Sequence, residues 1–510
     1  MSTAVSPAIA PPRRRAAFAG WIYALHPTYR LVARWAIIAI AACVAFRASL
    51  FSLAATSRAE SLGAYVWTVP AAAILVAIGV ARRHRTELPI HDRQTDVIVG
   101  VMGFVLAVLL QGVLMPRYAL YFNLLRLDLL AMWLYVVCCC TVLFGLRPVM
   151  RFAWVWGFLL LVFPLPYQLT VASLGGGNFA AGSAALVIAG VGTGIAVGRT
   201  IRRGFWGSVF AWIVGFAVLI LIDSTFTDAP LQVYQEVPAL TAMAVVGLAM
   251  FAAARRGMPK QVLERKIEPL AAKQVWSGIP MVVGVAVVLA TLPLPADTTT
   301  AAISRSSPAP LVPGRPLVTP PTWSTVATRD FNDVNRLYGA KAVLVRQTMV
   351  ADTGSFRWDK LSRPRTLVVD SLISERPFSF GVYPGRVLYG LTGARFSALR
   401  PVNLGMGVTG QLASVVDDKL LITWNALQFA WGNADLAERV TIFAVDDHRP
   451  DAPFPTPSTD LTSTLRTLLT LLFRGNAVLD ERTPTFKDAD LLTGFGRALV
   501  AAQSPPAAAS

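Results

Sequence analysis

About nine stretches of this chain are apolar for long enough to cross a lipid bilayer, and the polar residues between them are sorted by sign. The stretches lie near 35–55, 61–81, 96–115, 129–146, 152–172, 180–198, 205–223, 238–254 and 275–294. A helix needs roughly 20 predominantly apolar residues to span the hydrocarbon layer. Every second connection is crowded with basic residues. One set holds Arg13, Arg14, Arg15, Arg30 and Arg34, then Arg82, Arg83, Arg85 and Arg93, then Arg147 and Arg151. The same set continues with Arg199, Arg202 and Arg203, and with Arg255, Arg256, Lys260, Arg265, Lys266 and Lys273. The alternate connections hold little beyond Arg58, Arg117 and Arg126, and the one at 224–237 carries Asp228 and Glu236. Short basic loops stay cytoplasmic. The pattern therefore predicts a cytoplasmic tail over 1–30, a transmembrane domain over 31–296, and everything after Pro295 outside.

The periodicity changes after residue 296. From Asp297 to residue 325 the chain is dominated by Thr, Ser and Pro, including Pro308, Pro310, Pro313, Pro316, Pro320 and Pro321. That composition predicts an extended stalk with no core of its own. Residues 326–502 read as an α+β domain. A short helix is expected over Asp333–Tyr338, with strands at Ala342–Val350, Thr366–Leu372, Phe380–Leu391, Leu420–Phe429 and Val440–Val445. Alternating or β-branched runs bounded by Asp352-Thr353-Gly354 and Pro384-Gly385 support those strands. Two helices close the domain, near 459–474 and 487–502. The first gathers Leu461, Leu465, Leu468, Leu469, Leu472 and Phe473 on one face. Such a face docks on its own domain or lies on the outer leaflet. From Gln503 to Ser510 the tail reads as disordered. The expected fold class is an α-helical polytopic membrane bundle of about nine spans followed by an extracytoplasmic α+β domain, in the plasma membrane.

Composition sharpens this picture. With 55% hydrophobic and 15% charged residues and a mean hydropathy of +0.55, the chain is excluded from the soluble globular class. Of the net charge of +17, the part after residue 296 carries only +3. The excess lies in the short basic loops, where retention and attraction to anionic headgroups account for it, so membrane lipids rather than nucleic acid are the expected partners. The first 30 residues lack the compact apolar core and cleavage site of a secretory signal. Cys43 and the run Cys138-Cys139-Cys140 all fall within expected spans, leaving the outer domain without a disulfide.

Candidate chemistry is sparse. Asp446-Asp447-His448 closes an expected strand, but three consecutive residues cannot converge on one ion, and a solvated turn is expected. Within the membrane, ionisable groups are functional candidates. Arg47 is expected to snorkel to the outer headgroups, with Asp128 and Asp223 at the outer interface. Gln111 and Gln168 lie at depth, and Pro164 and Pro166 are expected to kink their helix. Gly175-Gly176-Gly177 reads as a flexible loop and lacks the lysine and hydroxyl of a phosphate loop. Neighbouring cysteines on one helix point about 100° apart, so Cys138, Cys139 and Cys140 make a poor metal site and read first as packing residues. No cofactor or metal is expected.

Residues 61–172 resemble the exosortase/archaeosortase membrane proteins. The likeness rests on Gly63-Ala64-Tyr65-Val66-Trp67 with Pro70, on Arg82-Arg83-His84-Arg85 with Leu88-Pro89, on Gly145-Leu146-Arg147, and on Phe163-Pro164-Leu165-Pro166. The C-terminal part is also similar to the periplasmic domain that some exosortases carry. The resemblance implies an outer-face Ala-Cys-x-Gly-x-Arg motif after the Pro-Leu-Pro helix. This chain has Ala172-Ser173-Leu174-Gly175-Gly176-Gly177-Asn178 there, and no histidine in its later spans. The expectation is a non-catalytic factor in sorting, export or assembly of envelope proteins or polymers, binding its client outside. The alternatives are a transporter or channel for an envelope precursor, or a membrane cysteine transpeptidase or peptidase using Cys138, Cys139 or Cys140.

Overall fold

Six helices are long and apolar enough to cross a membrane, in a computed structural model that describes residues 27–58, 62–83, 93–226, 229–255, 278–295, 303–304, 307–308, 310–433, 435–449, 451–462, 465–466, 469 and 480–504. They are Leu62–Ala81, Arg93–Arg117, Leu127–Phe144, Gly177–Val197, Ile201–Thr225 and Leu231–Ala253. The first and fifth expected spans are bent pairs: Tyr29–Ala45 with Arg47–Ser57 at 75°, and Ala153–Val162 with Leu165–Ser173 at 67°. The last expected span is the shorter apolar helix Ile279–Thr291. Residues 1–26 of the expected N-terminal tail, the basic connection 256–277 and most of 459–474 lie outside the described residues, while the end of that tail, from Pro27, is already helical.

The helices used below are α1 Pro27–Ala45, α2 Arg47–Arg58, α3 Thr68–Ala81, α4 Arg93–Leu109, α5 Leu127–Phe144, α6 Ala153–Leu159, α7 Leu165–Ser173, α8 Gly177–Val197, α9 Ile201–Thr225, α10 Leu231–Arg255 and α11 Ile279–Thr291. A 3-10 turn, Leu62–Trp67, leads into α3. A π turn, Leu110–Leu114, extends α4 and places Gln111 Nε2 3.3 Å from the Leu289 carbonyl of α11. Pro164 caps α7 at the second break, as its missing N–H and restricted predecessor require. The first break, at Phe46, has no proline and no sequence signature.

One end of the bundle is held by arginines that donate to carbonyls near helix C-termini, most of them among the last carbonyls that lack partners within their own helices. Arg83 donates to the Ile195 and Gly198 carbonyls at 2.6 and 3.1 Å, and Arg93 to Val142 at 2.6 Å. Arg34 reaches Leu143 at 3.4 Å, and Arg203 reaches Met250 at 2.9 Å. The outward flanks carry exposed Met102, Val105, Leu106, Phe205, Ile213, Ile220, Leu248 and Val287. Helices that present apolar side chains outward as well as inward have the surface of a membrane protein.

At the opposite end sits a nine-stranded sheet. Its strands are β1 Ile303–Ser304, β2 Trp323–Phe331, β3 Val343–Ala351, β4 Thr366–Ser374, β5 Arg395–Phe396, β6 Arg400–Gly405, β7 Val408–Asp417, β8 Ile422–Gly432 and β9 Ala437–Val445. The order β2-β3-β4-β9-β8-β7-β5 is antiparallel throughout, with β6 on β7 and β1 parallel to the end of β8. Helix α12, Ala489–Gln503, covers one face through Leu491, Leu492, Phe495, Leu499 and Val500. The other face joins Met115, Tyr118, Tyr121, Phe122 and Leu165 of the bundle to Leu337, Tyr338, Phe380 and Leu388 in one buried cluster.

Three expectations are corrected here. The stretch read as a stalk over 297–325 is, where described, part of the domain: Leu317 is buried and Trp323 opens β2. Gln347 clamps both backbone groups of Leu317, at 2.8 and 3.0 Å, and Gln503 does the same for Val318 at 3.0 and 2.9 Å. A proline-rich run without a ladder of its own needs such side-chain partners to be buried. Gln503 therefore belongs to α12 rather than to a disordered tail. Phe380–Leu391, expected as a strand, folds as two short helices, Ser379–Val382 and Gly385–Leu388, around Pro384. A short apolar run does not distinguish a strand from a buried helical segment.

Candidate functional site

The cysteine run is a packing element. Cys138, Cys139 and Cys140 are 4%, 0% and 1% exposed in α5, among Ile38, Phe46, Phe104, Tyr135 and Val282, and line neither cavity described below. Asp446, Asp447 and His448 diverge. Asp446 meets Lys487 and Asn425, Asp447 meets Arg449, and His448 Nδ1 lies 2.7 Å from Asp359 Oδ2 while Nε2 meets Arg365. His448 is thus a partner in a buried network rather than a solvated turn residue. Arg365 continues that network to Asp488 at 2.9 Å and to the Val445 carbonyl at 3.1 Å. Burial raises the Asp359 carboxyl, but His448, the Leu361 amide and Arg363 outweigh it and hold the group well below the usual carboxylate range. Among the described residues, no three His, Cys, Asp or Glu side chains are grouped to hold a metal ion.

Arg47 is exposed at the first break, and Asp223 accepts from Tyr234 Oη at 3.2 Å. Asp128 is fully buried against Arg126. None of these lines the larger cavity of the molecule.

That cavity, about 310 Å³, lies in the sheet domain on the face turned toward the bundle. Its floor follows from strand register. Gln411 of β7 pairs with Gln428 of β8, which pairs with Thr441 of β9, then Asp370 of β4 and Arg346 of β3. Residues that pair across adjacent strands share one face, so these side chains form a polar row crossing an otherwise apolar sheet. At the β3–β4 end the row is satisfied internally. Arg346 makes two 2.7 Å bonds to Asp370, and Tyr389 Oη donates to Asp370 at 2.7 Å. Burial raises the Asp370 carboxyl, with Arg346 and Tyr389 pulling the other way. At the β7–β9 end the side chains of Gln411, Gln428 and Thr441 have no hydrogen-bond partner among the described residues and line the cavity.

The walls are aromatic and cationic. Phe380, Tyr389, Phe396 and Phe443 surround the floor, and Leu120 of the bundle and Ile303 of β1 help enclose it. The Arg386 guanidinium stacks 3.7 Å from the Phe396 ring centre, and burial lowers its pKa while Tyr121 and Asp480 act against that. Arg439 donates to Tyr338 Oη at 2.9 Å and to the Tyr383 carbonyl at 3.2 Å. Buried polar groups are normally hydrogen-bonded, and a concave apolar site of several hundred Å³ with a few convergent polar groups is the usual form of a ligand pocket. The arrangement can receive amide or hydroxyl groups on its floor and planar or apolar groups against its walls. Its lining includes no cysteine or serine. Sequence patterning missed this site because β7 was not recognised and the Phe380–Leu391 wall was assigned to a strand. The alternation in Val408–Asp417 was the signal available.

No protein-family model, no curated protein and no solved structure matches this chain.

Proposed function

We propose that this chain is an integral membrane protein with an exosortase-like core that acts non-catalytically in sorting, export or assembly of envelope proteins or polymers, its sheet domain gripping the client outside the membrane. The six long helices, the two bent pairs and α11 supply nine crossings in this reading. The arginine-bearing end is cytoplasmic by the positive-inside rule, which leaves the sheet at the outer face. The observation that carries the functional reading is the 310 Å³ cavity, whose floor offers unpartnered Gln411, Gln428 and Thr441 between aromatic walls. The client segment it fits carries amide or hydroxyl groups and at least one planar or apolar group.

The test is genetic and structural at once. Deleting the chain is expected to deplete envelope material. Ala413→Phe, which fills the cavity from β7, is expected to reproduce that loss at normal membrane levels of the protein. Replacing all four cysteines with alanine is expected to change nothing. An unaltered envelope in the deletion strain rejects the proposal, and depletion in the cysteine-free variant alone would return the chain to the cysteine enzymes.

A further inference from the structure

Among the described residues three arginines are buried: Arg126 at 4%, Arg365 at 4% and Arg439 at 2% exposed. Two of them have an aspartate. Arg126 lines a smaller cavity of about 40 Å³ where the bundle meets the sheet domain, and it is bound by Asp128 at 3.0 Å. It also reaches the Ser49 carbonyl and the Ser52 hydroxyl. Arg365 is bound by Asp488 at 2.9 Å. Arg439 of β9 has no carboxylate within ion-pair distance among the described residues. Its partners are the neutral Tyr338 hydroxyl and Tyr383 carbonyl. The rings of Tyr338 and Phe380 lie beside it, their centres 5.1 and 4.8 Å from the guanidinium carbon. An arginine is almost never buried without a counter-charge, because neutral hydrogen bonds do not recover the cost of desolvating its cation.

Arg439 and Arg386 both line the sheet-face cavity, whose lining holds no Asp or Glu. Arg386 is stacked on Phe396 and also lacks a carboxylate within ion-pair distance among the described residues, Asp480 acting on it from further away. Asp370, next along the polar row, is already held by Arg346 and Tyr389. Two positive charges therefore border one cavity with nothing of opposite sign in its wall. The rest of the lining narrows the class of anion. β7, β8 and β9 each have a strand on either side, so their backbone groups are engaged in ladders and none is offered to an added strand. Recognition falls to Gln411, Gln428 and Thr441, whose side chains both donate and accept. A hydroxyl group does the same. Phe380, Tyr389, Phe396 and Phe443 add ring faces, negative at their centres, that suit the C–H face of a saturated ring.

We propose that the sheet-face cavity binds an acidic sugar residue, its carboxylate countered by Arg439 and Arg386 and its hydroxyls met by Gln411, Gln428 and Thr441. The inference rests on the client-binding reading above and narrows that client to an acidic envelope polysaccharide. Planar guanidinium and carboxylate groups match in two-point hydrogen bonding, and the match strengthens away from water. At about 310 Å³ the cavity is at the small end of the range for ligand pockets, which suits a single ring.

The experiment uses the full chain purified in an uncharged detergent, with the thermal midpoint followed against three probes. They are trigalacturonic acid, its methyl ester, and the tripeptide alanyl-alanyl-phenylalanine with a free carboxylate. Saturable stabilisation by the acid is expected, with the ester at least about 10-fold weaker. Arg386→Gln and Arg439→Met are each expected to weaken the acid at least about 10-fold and to leave the ester as it was. That loss of discrimination separates a counter-charge from a packing role, which would weaken both probes together. Arg386 is only half-buried, so its variant keeps the test open should Arg439→Met fail to fold. Equal stabilisation by acid and ester, or none by any probe, overturns the proposal. Stabilisation by the peptide as great as by trigalacturonate overturns it in favour of a protein client. Failure of the client-binding reading itself is a different result: an unaltered envelope after deletion or after Ala413→Phe, whatever the purified protein binds.

Discussion

Buried charge is concentrated in a few side chains of the sheet domain, and each has a definite energetic sign. Asp370 sits 1% exposed with Arg346 and Tyr389 as partners. Removing one member of such a pair strands the other, which typically costs about 3–5 kcal/mol. Losing a single neutral donor costs about 1–3 kcal/mol. Arg346→Met is therefore expected to lower the thermal midpoint of the full chain well beyond Tyr389→Phe, measured by tryptophan fluorescence. Two carboxyls also set opposite pH dependences. Asp359 titrates below its ordinary value, so its contribution is complete above the usual aspartate pKa of about 3.9 and is lost as pH falls below that. Glu438 is raised by burial, with Ser371 and Trp431 opposing, so its contribution is complete at low pH and fades as pH rises above about 4.3. Asp359→Asn should flatten the acid side of the stability curve. Glu438→Gln should gain on the wild type as pH increases from 4 toward neutrality.

At the scale of elements, α8 and α9 approach through small residues. Ser208 Oγ donates to the Gly190 carbonyl at 2.9 Å, and Trp212 Nε1 donates to the Leu186 carbonyl at 3.0 Å. A Cβ on Gly194 would fall 2.9 Å from the Gly204 carbonyl oxygen, in backbone that cannot move aside cheaply. Close helix approach in a bilayer rests on such small residues, because lipid tails supply no hydrophobic drive between helices. Gly194→Leu is expected to abolish the monodisperse peak in size-exclusion chromatography. Gly157→Leu on α6, where an added Cβ meets nothing within 4 Å, is expected to leave it intact. Gly176 has a comparable role between parts. Its φ of 75° and a Cβ position only 2.5 Å from Arg336 Cα let the glycine triplet lie against the domain.

For the molecule as a whole, the sheet docks on the bundle end opposite the arginine caps, through an apolar cluster drawn from both. Orientation in the membrane then has a direct check. In a cysteine-free background, Thr328→Cys on the exposed strand β2 and Arg202→Cys at the arginine end are expected to differ in intact cells. A membrane-impermeant maleimide should label the first and not the second. The reverse pattern would place the domain in the cytoplasm and withdraw the client-binding reading.

Much of this architecture was legible locally. Apolar length marked the helices, alternation marked β3, β4, β8 and β9, and the short helix Asn335–Tyr338 fell within its expected range. Arginine spacing also foretold which helix ends share a side, because a helix reverses direction at every connection. The proline pair announced one break, whereas the break at Phe46 had no residue to announce it. What chain order could not convey was partnership across distance. Gln347 and Gln503 convert a proline-rich run into domain edge, and Asp359 meets His448 89 positions away. The polar row from Gln411 to Arg346 exists only once register aligns five strands. Local pattern determines which segments bury an apolar face. The tertiary fold alone decides which buried polar groups find partners and which are left facing a cavity, and the floor of the sheet-face cavity is made of the latter.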